Sequence, residues 1–81
     1  MTEAVPRTML ITGAAGGVGK ATVRVFAQAG WKVIGVDRQE FNGEFPADGL
    51  FIRADISDPT RLQEVYEQAH GFTPRLDAVV N

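Results

Sequence analysis

A glycine-rich segment between an apolar run and an amphipathic run restricts the fold of this chain more than any other feature. Residues 12–19 read Thr-Gly-Ala-Ala-Gly-Gly-Val-Gly; they follow the apolar residues 9–11 and precede a helix-like run over residues 20–29. A strand, a glycine turn and a helix in this order leave backbone N–H groups and the positive end of the helix dipole facing outward. Such an end binds a pyrophosphate, so the segment predicts a strand–turn–helix unit that holds a dinucleotide.

The glycines of this turn have separate expected roles. Gly13 permits the tight turn, Gly17 lets the backbone approach a phosphate closely, and Gly19 lets the helix pack against the strand without a Cβ. We expect the Thr12 hydroxyl, at the end of the strand, to tie the turn together. The other turn residues predicted to border the cofactor are Ala15, Gly16 and Val18.

Two common nucleotide-binding motifs do not fit the turn. The Gly-x-Gly-x-x-Gly spacing fails, because from Gly13 it requires glycine where Ala15 and Val18 stand. The phosphate loop of ATPases and GTPases requires glycine at Ala14 and Ser or Thr at Ala21. These two motifs are therefore set aside, while a glycine turn that serves packing alone stays open as an alternative.

A second apolar run is followed by an acidic residue, whose distance from the glycine turn is typical of a residue that binds the adenosine ribose. We expect Gly30 to close the preceding helix in the left-handed conformation, and residues 31–36 to form a buried strand. Asp37 follows, about 20 residues beyond the turn, where a βαβ unit presents an acid to the adenosine ribose. Its carboxylate would repel a 2′-phosphate, so NAD is favoured over NADP, although Arg38 could pair with that phosphate. An acid that merely ends a strand is the alternative.

The second half of the chain predicts two further strands and one helix. Residues 41–49 are polar with turn signals and lead into a third strand over residues 50–54, and residues 76–81 form a fourth. Asp58 is the expected N-cap of the helix and Pro59 its first residue. The expected apolar face of this helix consists of Leu62, Val65, Tyr66 and Ala69, with Tyr66 packed.

The order of elements predicts an α/β fold, a Rossmann-type doubly wound parallel sheet with strand order 3-2-1-4. The sheet is expected to be incomplete, because parallel strands are normally covered on both faces and such a fold continues beyond strand 4. We therefore interpret residues 1–81 as the N-terminal part of a single NAD(P)-binding Rossmann domain.

Composition narrows the partners and the compartment. A net charge of -2 without a Lys or Arg cluster predicts no nucleic-acid partner. Zero cysteines exclude disulfides and thiolate metal sites, and no metal site is predicted. No stretch resembles a signal peptide or is apolar enough for a membrane, which predicts a cytoplasmic protein without membrane partners.

The turn resembles that of the short-chain dehydrogenase/reductase family. Thr12, Gly13, Gly17 and Gly19 match the Thr-Gly-x-x-x-Gly-x-Gly motif of its classical subfamily. Gly13, Gly16 and Gly19 also satisfy the Gly-x-x-Gly-x-x-Gly motif of the extended subfamily, so the turn alone does not choose between the two.

Two other segments carry the resemblance toward the classical subfamily. Its third strand ends in an Asp followed by an aliphatic residue, and both border the adenine; Asp55 and Ile56, preceded by Ala54, match this pattern. Its fourth strand leads into Asn-Asn-Ala-Gly, and this chain has Asn81 where that segment begins. Ala54, Asp55, Ile56 and Asn81 are therefore expected neighbours of the cofactor.

The resemblance implies an oxidoreductase that interconverts alcohol and carbonyl groups of a small molecule with NAD(H), as a homo-oligomer when complete. The family's catalytic Ser, Tyr and Lys belong to later segments, so no catalytic residue is assigned here and the chain alone is expected to be inactive. Four residues after Tyr66 comes His70, a helix-end residue, rather than lysine. The alternatives are a non-catalytic dinucleotide-binding or sensing module and an inactive truncation fragment.

Overall fold

The computed structural model describes residues 6–73 and 75–81. The elements in chain order are β1 (Thr8–Thr12), α1 (Gly17–Gln28), β2 (Lys32–Asp37), β3 (Leu50–Arg53), α2 (Pro59–Phe72) and β4 (Ala78–Val80). The strands form one parallel sheet in the order β3-β2-β1-β4, which confirms the predicted topology. Residues 1–5 and Pro74 of the predicted domain lie outside the described residues.

The two central strands divide the core between the faces of the sheet. Successive side chains of a strand point to opposite faces. Leu10 accordingly packs in a cluster with Ile34 and with Val65 of α2. Met9 packs in a second cluster, which contains Val23 of α1. The helices therefore cover opposite faces, as a doubly wound sheet requires.

A glycine cap ends α1 and decides where β2 begins. Gly30 has φ +91, as predicted, and its N–H donates to the Ala27 carbonyl at 3.1 Å. The Trp31 N–H donates to the Phe26 carbonyl at 2.9 Å, and the Phe26 and Trp31 rings meet edge to face at 5.6 Å. These bonds and this contact form a Schellman cap. Trp31 thus belongs to the cap, and β2 begins one residue later than predicted.

Besides β2, three elements have boundaries that differ from the prediction. α1 begins at Gly17 instead of residue 20. The prediction placed its start too late because glycine, which occupies positions 17 and 19, has a poor intrinsic helix propensity. β3 ends at Arg53, one residue early. β4 is shorter than residues 76–81, because Asp77 is drawn to the start of β1: its N–H donates to the Thr8 carbonyl at 2.9 Å, and its Oδ2 accepts from the Thr8 N–H at 2.8 Å.

The helix α2 has the predicted cap and a narrower buried face than expected. Asp58 Oδ1 accepts from the Thr60 N–H at 2.9 Å, as an N-cap does. Val65 and Ala69 are buried, whereas 47% of Tyr66 is exposed, so its predicted packing is wrong. Residues four apart share a helix face, and Tyr66 is rotated away from the line through Val65 and Ala69.

The segment between β2 and β3 packs against the sheet instead of forming a polar loop. Phe41 and Phe45 form an aromatic cluster with Phe51 of β3, with ring centroids 5.0–5.7 Å apart. Gly35 and Gly49 make room for Phe45: a Cβ on either residue would lie within 2.9 Å of its ring. These contacts hold the connection that follows Asp37 close to the sheet.

The described residues include neither a helix that could span a membrane nor a cluster of metal-binding side chains. Within residues 6–73 and 75–81, neither helix is both long and apolar enough to cross a membrane. The same residues contain no group of three or more His, Asp or Glu side chains that could hold a metal ion.

Candidate functional site

The turn after β1 is closed by backbone bonds and one left-handed glycine. Gly13 has φ +68, a conformation that residues with a Cβ rarely adopt. The Gly16 N–H donates to the Gly13 carbonyl at 3.2 Å, and the Ala14 N–H donates to the Val36 carbonyl at 3.2 Å. The turn is therefore anchored to β2 while its peptide groups stay at the carboxyl edge of the sheet.

The N-terminus of α1 lacks the groups that satisfy most helix ends. Gly16 is the N-cap and offers no side chain, and the first turn holds no acidic residue. Among the described residues, no hydrogen bond uses the N–H groups of Gly17, Val18 or Gly19, and Val18 is 85% exposed. These three amides carry the positive end of the helix dipole. The arrangement suits an external anion, in contrast to α2, where the Asp58 carboxylate caps the helix.

Two glycines of this helix end have different surroundings. A Cβ on Gly19 would overlap the Gly13 carbonyl oxygen and lie 2.8 Å from the Gly13 carbonyl carbon and 2.9 Å from the Ala14 Cα. A Cβ on Gly17 would meet nothing within 4 Å. Gly19 thus lets the turn lie against the helix, and Gly17 keeps the space beside the free amides open.

The hydroxyl of Thr12 was predicted to tie the glycine turn together, and this prediction is wrong. The single hydroxyl proton of Thr12 is shared between two acceptors, Asn81 Oδ1 at 3.2 Å and the Val80 carbonyl oxygen at 3.4 Å. The hydroxyl therefore joins the carboxyl ends of β1 and β4. The parallel pairing of β1 with β4 brings the ends of these strands together. The hydrogen bonds of Thr12 therefore lie outside the glycine turn.

The carboxylate of Asp37 links the end of β2 to the glycine turn. Its Oδ2 accepts from the Ala15 N–H at 3.0 Å and its Oδ1 from the Gln39 N–H at 3.0 Å. A carboxylate offers about four acceptor sites, so it can still accept from ribose hydroxyls. Sequence reasoning missed the role of Gln39, since a backbone N–H leaves no signal in the side-chain pattern.

A cleft of about 190 Å³ brings together several site residues that the sequence predicted separately. Its lining consists of Gly13, Val36, Asp37, Arg38, Ala54, Asp55 and Ile56. The residues Thr12, Ala15, Gly16, Gly17, Val18, Gly19 and Asn81 do not line it. Thr12 ends β1, Ala15 and Gly16 lie in the turn, residues 17–19 begin α1, and Asn81 follows β4. The turn and the cleft meet at Gly13, which belongs to both.

Within residues 6–73 and 75–81, only one of the two carboxylate oxygens of Asp55 has a hydrogen-bond partner. Its Oδ1 accepts from the Ser57 hydroxyl at 2.7 Å and from the Ser57 N–H at 3.0 Å. The hydroxyl bond, followed by the backbone bond and the charge of Arg38, lowers the pKa of Asp55 below its usual 3.8. In the described part of the chain no hydrogen bond involves Oδ2, and Asp55 belongs to the lining of the cleft.

Comparison with known proteins gives relatives along nearly the whole chain. The short chain dehydrogenase family matches residues 7–81. The 2,3-dihydro-2,3-dihydroxybenzoate dehydrogenase of Escherichia coli is 33% identical over 75 residues, which cover 93% of this chain and 29% of that enzyme. The chain thus spans less than a third of the length of this relative.

Two solved structures share the fold at appreciable sequence identity. The 3-ketoacyl-(acyl-carrier-protein) reductase of Brucella melitensis, complexed with NADH, superposes with a TM-score of 0.83 at 32% identity, over 90% of this chain and 32% of the other. A short chain dehydrogenase/reductase family oxidoreductase of Brucella ovis, in complex with a partially ordered NAD, has a TM-score of 0.81 at 36% identity, over 95% and 38%. With its glycine turn, its strand order and these matches, the chain belongs to the short-chain dehydrogenase family.

Proposed function

We propose that the complete protein is an oxidoreductase that interconverts alcohol and carbonyl groups of a small molecule with NAD(H). Residues 1–81 would form the N-terminal part of its single dinucleotide-binding domain. The observation that carries the proposal is the start of α1. Three amides there have no hydrogen-bond partner among the residues that the structure describes, and they adjoin a glycine turn and open space at Gly17. The relatives from Brucella, complexed with NADH and with NAD, support a nicotinamide dinucleotide as the ligand.

The described residues fit the parts of such a cofactor. The amides of residues 17–19 would hold the pyrophosphate, because they combine free donors with the positive end of a helix. Asp37 would accept from the ribose hydroxyls, and Asp55 Oδ2 would accept from the adenine amino group across the same cleft. When bound, the nicotinamide would supply or accept the hydride. The proton-transferring groups are not assigned to this chain.

The choice of NAD over NADP rests on Asp37. Its two hydrogen bonds to Ala15 and Gln39 hold the carboxylate at the cleft, where a 2′-phosphate would meet a fixed negative charge. Arg38 lines the same cleft, but the nearby anionic Asp55 offsets its charge. The charges around the ribose position therefore favour a free 2′-hydroxyl, as in NAD, over a 2′-phosphate, as in NADP.

Binding titrations of the complete protein with NADH and NADPH test this proposal. We expect tighter binding of NADH, and we expect Asp37→Ala to narrow the preference by about tenfold or more, the cost of losing a charged hydrogen-bond acceptor. Asp48→Ala, which removes an exposed carboxylate from the connection before β3, is the matched control and should leave the preference unchanged. An unchanged preference in Asp37→Ala would show that Asp37 does not touch the ribose. Failure to bind either nucleotide would contradict the proposal as a whole.

The reaction itself needs a separate measurement. Alcohol-dependent reduction of NAD⁺ by the complete protein would support the oxidoreductase. Tight NADH binding without turnover on any of a panel of alcohols and carbonyl compounds would favour the alternative, a dinucleotide-sensing module.

A further inference from the structure

Arg53 lies beside Asp37 in the sheet and contacts the chain immediately after it. The two residues are register partners at the ends of β3 and β2. Arg53 Nε donates to the Arg38 carbonyl at 3.1 Å, across two neighbouring strand ends. The sheet continues one step further there, since the Ala54 N–H donates to the Asp37 carbonyl at 2.9 Å.

The bond from Arg53 and one bond to Asp37 act on the same peptide group. The Arg38 carbonyl and the Gln39 N–H are the two ends of a single planar unit. Arg53 Nε holds the carbonyl end, and the Gln39 N–H at the other end donates to Asp37 Oδ1 at 3.0 Å. A cationic donor on the carbonyl also polarises the peptide and strengthens its N–H as a donor. Arg53 therefore contacts the peptide that supplies one of the two bonds holding the Asp37 carboxylate.

Arg53 is itself held from the neighbouring helix. Its carbonyl accepts from Arg61 Nη2 at 3.2 Å, and Arg61 Nη1 pairs with Glu64 Oε2 at 2.7 Å. The end of β3 is thus tied to α2 on one side and to the Arg38–Gln39 peptide on the other.

The position of Arg53 separates it from the residues that could touch the cofactor directly. Arg38, Asp37 and Asp55 line the cleft, whereas Arg53 lines a neighbouring groove together with Glu40 and Phe41. The hydrogen-bonded route from Arg53 to the cleft therefore runs through the Arg38–Gln39 peptide.

We propose that Arg53 is a positioning residue for cofactor discrimination, which aims the Asp37 carboxylate at the adenosine ribose through the Arg38–Gln39 peptide. The inference rests on the proposed binding of NAD(H) and adds a residue that does not contact it. Substitution of Arg53 should therefore weaken NADH binding only when Asp37 is present.

The test measures the dissociation constants of NADH and NADPH for the complete protein and for Arg53→Met. We expect NADH affinity to fall about two- to tenfold, the range of one hydrogen bond, with a smaller change for NADPH, so that the preference for NADH decreases. Arg53→Lys keeps the charge and loses the planar Nε donor, and it should reduce the preference in the same direction. Arg24→Met, which removes an exposed cation from α1, is the control and should leave the preference unchanged.

Three results would overturn the proposal. If Arg53 acted only through its charge, Arg53→Met would weaken NADPH more than NADH, and the preference would increase. An equal loss for both nucleotides would show a general effect on folding. In an Asp37→Ala background, Arg53→Met should leave the preference unchanged; an undiminished effect there would exclude transmission through Asp37. If the unmodified protein binds neither nucleotide, the proposed function fails, and that outcome is separate from these three.

Discussion

Gly19 and Gly17, two residues apart at the start of α1, should respond in opposite directions to the same substitution. Alanine at Gly19 places a Cβ against the carbonyl of Gly13, in contact with backbone atoms that cannot move by changing a rotamer. Overpacking of this kind costs about 1–3 kcal/mol. Alanine at Gly17 meets nothing within 4 Å, and neither glycine has a positive φ.

Both substitutions change the unfolded chain in the same way, so this contribution cancels when the free energies of unfolding of the two variants are compared. Replacing glycine by alanine at a compatible position stabilises a protein by about 0.4–1 kcal/mol, because the unfolded chain loses freedom. Gly17→Ala should show this gain alone. Gly19→Ala should show the same gain minus the overpacking cost. The free energies of unfolding of the two variants should therefore differ by about 1–3 kcal/mol.

Equilibrium urea denaturation of both variants and the unmodified protein measures these values. The slope of the free energy against urea should stay constant, so that the midpoints report stability. Equal stability of the two variants would refute the packing assigned to the turn. A Gly19→Ala variant more stable than Gly17→Ala would show that the Gly13 carbonyl lies elsewhere.

Two further predictions concern carboxylates outside the cofactor cleft. Asp58→Ala removes the acceptor for the Thr60 N–H and should lower the free energy of unfolding, measured in urea, by about 0.5–2 kcal/mol. Asparagine can also cap a helix, so Asp58→Asn should stay close to wild type. Equal free energies of unfolding for the two variants would contradict the role of Asp58 as the cap. The hydrogen bond from the Thr8 N–H, together with Arg75, lowers the pKa of Asp77 below its usual 3.8. The ionised Asp77 therefore stabilises the fold fully above pH 3.8, and this contribution is lost as the pH falls through the lower pKa of the folded state. The stability difference between wild type and Asp77→Asn, followed against pH, should shrink over this acid range, and a difference that persists below it would contradict this linkage.

Local patterns predicted the topology and much of the turn. The apolar runs at the strands, the glycine spacing of residues 13–19 and the Asp58-Pro59 pair each determine a structure within a few neighbouring residues. The alternation of strands and helices then indicates a doubly wound sheet, for which the strand order 3-2-1-4 is typical. Gly30 was predictable for the same reason, because the cap that it forms involves only residues 26–31.

The contacts that the sequence did not predict join residues far apart in the chain. Thr12 bonds to Asn81, and the Ala15 N–H bonds to Asp37, only because three strands end at one edge of the sheet. The room for Phe45 comes from glycines in two different strand regions, which no local pattern connects. Periodicity assigned Tyr66 to an apolar face but could not locate the centre of that face, which runs through Val65 and Ala69.

The central claim, that the start of α1 holds the pyrophosphate of NAD(H), is tested most directly by the affinity of NADH for Gly17→Val. The valine side chain would enter the open space beside the free amides without touching the rest of the fold at its Cβ. We expect NADH binding to be lost or weakened by about a hundredfold or more, as for several charged hydrogen bonds lost together, while the variant stays folded. Unchanged NADH affinity in a folded Gly17→Val protein would contradict the assignment of this turn as the pyrophosphate site.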